Sequence, residues 1–103
     1  MKTKLQEYED CVNNHLFDQI KILNSINIKG ERLDEEVKRA EAMLDLANQI
    51  NETSLMQNKL QDYVNNHLFD QIKILNSIHI KGERLNEEVK RAEAMLGLAQ
   101  QIN

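Results

Sequence analysis

Apolar residues return every three or four positions along this chain, in a long stretch followed by a shorter one, and then the pair recurs. Leu5, Tyr8, Val12, Leu16, Ile22, Leu23 and Ile26 fall on one face at helical spacing. Thr3 with Gln6 three residues later reads as a capping box, so the pattern predicts a helix from about Lys4 to about Ile26. Asn27-Ile28-Lys29-Gly30 interrupts it, because Gly30 can take the left-handed conformation that closes a helix and reverses the chain. Leu33, Val37, Ala40, Met43, Leu44, Ala47 and Ile50 form the next stripe. Asp34 ahead of Glu35-Glu36 offers a cap and places acids at the positive end of the helix dipole, which predicts a helix over 33–50, with a start near Glu31 as the alternative. Ser54 with Gln57 is a further capping box; a third helix is predicted from near Leu55 to near Ile78 and a fourth over about 85–102.

The recurrence is close to literal. Residues 12–51 return at 64–103 with differences only at Asn27/His79, Asp34/Asn86, Asp45/Gly97 and Asn48/Gln100. A unit this short buries little apolar surface alone, so the two copies are expected to pack on each other. The expected fold is therefore all-α and a single domain, 1–103, made of repeat 1 (1–51) and repeat 2 (54–103). Short connections make each repeat an antiparallel hairpin, and the economical packing of two such hairpins is a pseudo-two-fold antiparallel four-helix bundle. One irregularity breaks the match: Glu9-Asp10-Cys11 has no counterpart before Val64, and three extra residues turn a helix by about 300°. The copies should diverge in their amino-terminal turns.

Composition supports the helical reading and narrows the function. There is no proline, only three glycines and few aromatic residues. The net charge of −4 is too mild for a mimic of DNA and has the wrong sign for a chain that binds phosphates by charge. Cys11 stands alone, with Tyr63 in its slot in repeat 2, so no disulfide or symmetric thiolate site can form within one chain, and a small residue at a helix interface is the expected role. No apolar run reaches membrane-spanning length, and Met1-Lys2-Thr3-Lys4 leads into a polar helix rather than a secretion signal, which predicts a cytoplasmic protein with no membrane partner.

The chemistry-bearing residues each have a structural explanation. His15 and Gln19 share a helix face, as do His67 and Gln71, and a buried or half-buried histidine–glutamine hydrogen-bond layer setting register is expected there rather than a zinc site. Phe17 and Ile20, with Phe69 and Ile72, lie off the main stripe; they form either a wide core-facing surface or an apolar patch for a partner. Ala40, Ala47, Ala92 and Ala99 allow close helix approach, and Met43 and Met95 fill the same layers. Lys38-Arg39 and Lys90-Arg91, with Arg32 and Arg84 near the turns, suggest two basic spots, although Glu35–Arg39 and Glu87–Arg91 at i,i+4 read as ion pairs on a solvated face. No nucleophile triad, phosphate loop or paired-carboxylate cleft is recognisable, so neither catalysis nor a metal or cofactor is expected.

Asn14-His15-Leu16-Phe17-Asp18-Gln19, then Lys38-Arg39-Ala40-Glu41-Ala42-Met43, then Leu46-Ala47-Asn48-Gln49-Ile50-Asn51 resembles a group of short phage- and prophage-encoded proteins that usually carry this pattern as a single hairpin. The resemblance implies a viral accessory role in the host cytoplasm; this chain departs from it by carrying the unit twice. The reading that follows is a non-enzymatic accessory protein that binds a host or phage protein, an inhibitor of a bacterial defence complex being one form of it. The contact residues are expected among Phe17, Ile20, Arg32, Lys38, Arg39, Phe69, Ile72, Arg84, Lys90 and Arg91. A nucleic-acid-binding regulator and a purely structural homo-oligomer are the alternatives.

Overall fold

A computed structural model describes residues 4–53 and 59–101. They form four helices: α1 (Lys4–Leu23), α2 (Gly30–Thr53), α3 (Lys59–Leu75) and α4 (Gly82–Gln101). Thr3 and the Ser54–Gln57 capping box lie outside the described residues.

The turns within each hairpin lie about three residues earlier than the periodicity suggests. α1 ends at Leu23 rather than Ile26, because Ser25 redirects the backbone: its Oγ accepts from Asn27 N at 3.2 Å and its carbonyl accepts from Ile28 N at 3.2 Å. A serine that offers the chain a local alternative to the helical ladder is a common helix stop. The same turn recurs at Ser77, with His79 N on the hydroxyl at 3.3 Å and Ile80 N on the carbonyl at 3.2 Å, so α3 ends at Leu75 rather than Ile78. Gly30 and Gly82 are left-handed, both with φ of +58°, but they open α2 and α4 instead of closing the helix before. Asp34 and Asn86 consequently sit inside the second helix of each hairpin and do not cap it.

The packed face of α2 carries Met43, Leu46, Ala47 and Ile50, all fully buried against Leu68, Ile72 and Leu75 of α3 and Leu85, Ala92 and Ala99 of α4. Among the described apolar residues of α1 only Val12 is buried to a similar degree. The core is therefore centred on α2 and α3, with the alanines bringing backbones close as their spacing predicts.

Within each hairpin the halves are twins. Gln19 Nε2 donates to the Glu36 carbonyl and carboxylate at 3.2 and 3.0 Å, and Gln71 Nε2 donates to the Glu88 carbonyl and carboxylate at 3.1 and 2.9 Å. Between hairpins the four-helix bundle is present, but the relation is not a two-fold. An axis exchanging the halves would make α1 meet α4 wherever α2 meets α3. Among the described residues α2 packs along α3, while α1 and α4 do not touch. The second hairpin instead stacks on the first in the same sense, like successive units of a solenoid, in a slab of 43 × 31 × 18 Å.

Candidate interaction surfaces

Stacking two near-identical hairpins in one sense gives the same side chain two different environments. Ile72 is 0 % exposed and its twin Ile20 is 61 % exposed; Leu46 is 1 % exposed and its twin Leu98 is 69 % exposed. Since the hairpins match internally, each difference marks what the other half covers. Repeat 1 uses the face bearing Arg39, Met43 and Leu46, and repeat 2 answers with the face bearing Phe69, Ile72, Leu75 and Leu85. We call these the donor face and the acceptor face.

Arg39 is the polar centre of the joint. Its Nε is held by Glu36 Oε1 at 3.0 Å, while its guanidinium donates to the carbonyls of Leu75, of Ser77 at 3.0 Å and of Ile80, closing the loop between α3 and α4. The Leu75 carbonyl ends the α3 ladder and those of Ser77 and Ile80 lie in the loop, the Ser77 one also accepting from Ile80 N, and a planar guanidinium suits such a fork. Near it, Asn76 Nδ2 donates to His15 Nδ1 at 2.8 Å and Phe69 lies tilted against the His15 ring with centroids 6.1 Å apart; at the far end of the joint the Thr53 hydroxyl donates to Asn65 Oδ1 at 2.9 Å. Burial holds the His15 pKa below the ordinary histidine value; Asp18 opposes this and Lys73 adds to it. The neutral ring with its proton on Nε2 is the form that accepts from Asn76.

The carboxylates beneath are preorganised. Burial pushes the Glu36 pKa up, but the hydrogen bond from Gln19, the charge and hydrogen bond of Arg39 and the hydrogen bond of Arg32 together hold it below the usual range. At Glu88 the hydrogen bond from Gln71 is the largest influence and lowers the pKa, burial opposes it, and Arg84 and Arg91 reinforce the lowering.

Several residues expected from the sequence at a partner surface are placed elsewhere. Ile72 and Arg39 are buried in the joint, and Phe69 is half-buried beside His15. Arg32 and Arg84 each bond a glutamate one turn on, at 3.3 Å to Glu36 and 3.1 Å to Glu88. The partner of Arg39 is Glu36, not Glu35, and that of Arg91 is Glu88, not Glu87. Lys38 and Lys90 are exposed and line one groove between α2 and α4 together with Glu41, Asp45 and Glu93, so the basic residues form no separate positive patches. Phe17 and Ile20 are exposed, with the Lys21 ammonium 5.6 Å from the Phe17 ring. These off-stripe positions thus face the core in repeat 2 and solvent in repeat 1. His15 and His67 do not form a shared layer: His67 is exposed, and glutamine pairs with glutamate in each hairpin. Cys11 is exposed rather than at a helix interface. Among the described residues no three of His, Cys, Asp and Glu gather as metal ligands, and no helix is long and apolar enough to cross a membrane.

The joint itself escaped sequence reading, although its signal was present: Glu36 is four residues from Arg32 and three from Arg39, which places one carboxylate between two guanidiniums. The chain matches no protein-family model, no curated protein and no solved structure.

Proposed function

We propose that this chain is a non-enzymatic protein-binding module that engages partner helices through the faces at the two ends of its stack. The observation that carries this is the exposure of Ile20 and Leu98, residues whose twins are core, with Phe17, Leu33 and Val37 also exposed on repeat 1 and Ile74 on repeat 2. Apolar clusters left open on a small domain are characteristic of surfaces that meet other proteins. The buried polar groups serve the fold: Gln19, Glu36, Arg39, Gln71 and Glu88 are bonded to one another or to loop carbonyls, which supports a binding role over a catalytic one. Nucleic-acid binding draws less support, since Arg39 is enclosed and Lys38 and Lys90 share their groove with three acids. The resemblance to phage-encoded hairpin proteins supports an accessory role, with a host or phage protein as target.

The test is cross-linked capture from host lysate at physiological salt, comparing the native chain with Ile20→Glu and Leu98→Glu. A partner retained by the native chain and lost from either variant is expected. Capture unaffected by both would place the binding surface elsewhere and contradict the reading.

A further inference from the structure

The two uncovered end faces are the two halves of one joint. We propose that the chain binds a second copy of itself head to tail, the donor face of repeat 2 in one copy seating on the acceptor face of repeat 1 in the next. The inference rests on the protein-binding reading above and names the partner.

Three observations carry it. First, the joint inside the molecule already shows that these two faces fit, and repeat 1 and repeat 2 differ at only four of the positions that recur. Repeat 1 keeps its acceptor face open, at Phe17, Ile20 and Leu33; repeat 2 keeps its donor face open, at Arg91 and Leu98. Apolar residues are thus exposed on both end faces where a stack would otherwise carry polar capping faces.

Second, the polar fork is preassembled on both sides. Arg91 is held by Glu88 Oε1 at 3.3 Å, as Arg39 is by Glu36, yet its side chain is 63 % exposed against 3 % for Arg39. The loop that would receive it is built like the loop that receives Arg39. Asn24 N bonds the Ile20 carbonyl at 3.0 Å where Asn76 N bonds Ile72 at 2.9 Å, and the turns at Ser25 and Ser77 agree to within 0.1 Å. The acceptors for Arg91 are then the carbonyls of Leu23, Ser25 and Ile28 of the second copy.

Third, the substitutions between repeats conserve the charge across the joint. Inside the molecule Asp45 and Asn86 line one groove, together with Lys38, Glu41, Lys90 and Glu93. Between copies Gly97 and Asp34 would line the matching groove, with the same two lysines and two glutamates. Each joint therefore holds one aspartate in its groove, where two copies of repeat 1 would hold two. A contact between different faces is not self-terminating, so it leads to closed rings or open chains rather than to a two-fold dimer.

Sedimentation velocity on the intact chain over a concentration series is expected to show mass rising with concentration; a fixed monomer mass overturns the proposal. Ile20→Glu and Leu98→Glu each charge one end face at a solvent-exposed position, so both should keep native helicity by circular dichroism. Each alone is expected to be monomeric. An equal mixture is expected to double in mass and stop there, because one unaltered donor face and one unaltered acceptor face remain. A mixture that stays monomeric, or a single variant that still dimerises, overturns head-to-tail pairing. Should either glutamate lower helicity, Phe17→Ser and Arg91→Ala repeat the mixing on the same two faces. Lysate capture separates the two claims: a permanent monomer that still captures a foreign protein overturns self-association alone, and self-association without any foreign partner upholds it while the wider reading fails.

Discussion

Arg39 and Arg91 form a natural control pair, since both follow Glu-Glu-Val-Lys and both bond a glutamate three residues back. Only Arg39 closes a loop of the other hairpin. Removing it leaves Glu36 buried beside unpaired carbonyls, so Arg39→Ala is expected to cost about 3 kcal/mol in urea unfolding. Arg91→Ala in dilute solution should stay within about 0.5 kcal/mol. The glutamates give a pH prediction of fixed sign. Glu36 and Glu88 titrate below the ordinary carboxylate range when folded, so the folded chain binds fewer protons there than the unfolded one. Their stabilisation is complete above the ordinary glutamate pKa and is lost as pH falls through the lowered folded values. Melting temperature should therefore drop on acidification through that window, and more shallowly in Glu36→Gln than in the native chain.

At the scale of elements, the helical period was legible and its ends were less so. Apolar spacing places all four helices, because the stripe that packs is the stripe the sequence displays. The boundaries at the turn within each hairpin shift by about a turn for one local reason: Ser25 and Ser77 end α1 and α3 early, and the freed glycines become the entry to the next helix. At Gly30 and Gly82 a Cβ would meet no neighbour, so substitution is opposed only by the left-handed backbone at φ of +58°. Gly30→Ala and Gly82→Ala are each expected to lower stability by about 1 kcal/mol, measured by thermal or urea unfolding. Their effects should be nearly equal, since the two turns are built alike, in contrast to the arginine pair.

For the whole molecule, the sequence discloses that two hairpins must pack and conceals how. Identical repeats present identical stripes, and a stripe that pairs with itself about a two-fold has the same periodicity as one that pairs with a different face of its neighbour. What separates the two is three-dimensional: among the described residues α2 lies along α3 while α1 and α4 stay apart. The candidate contacts divided accordingly, Ile72 and Arg39 into the joint, Phe17 and Ile20 onto an end face. The most direct measurement of this head-to-tail arrangement is the unfolding free energy of Leu46→Ala against Leu98→Ala, in dilute solution. Leu46 is sealed in the joint and should lose about 3 kcal/mol, while Leu98 should change by no more than about 0.5 kcal/mol. Equal losses at the two leucines would mean that the halves are related by a two-fold after all, and would contradict the account.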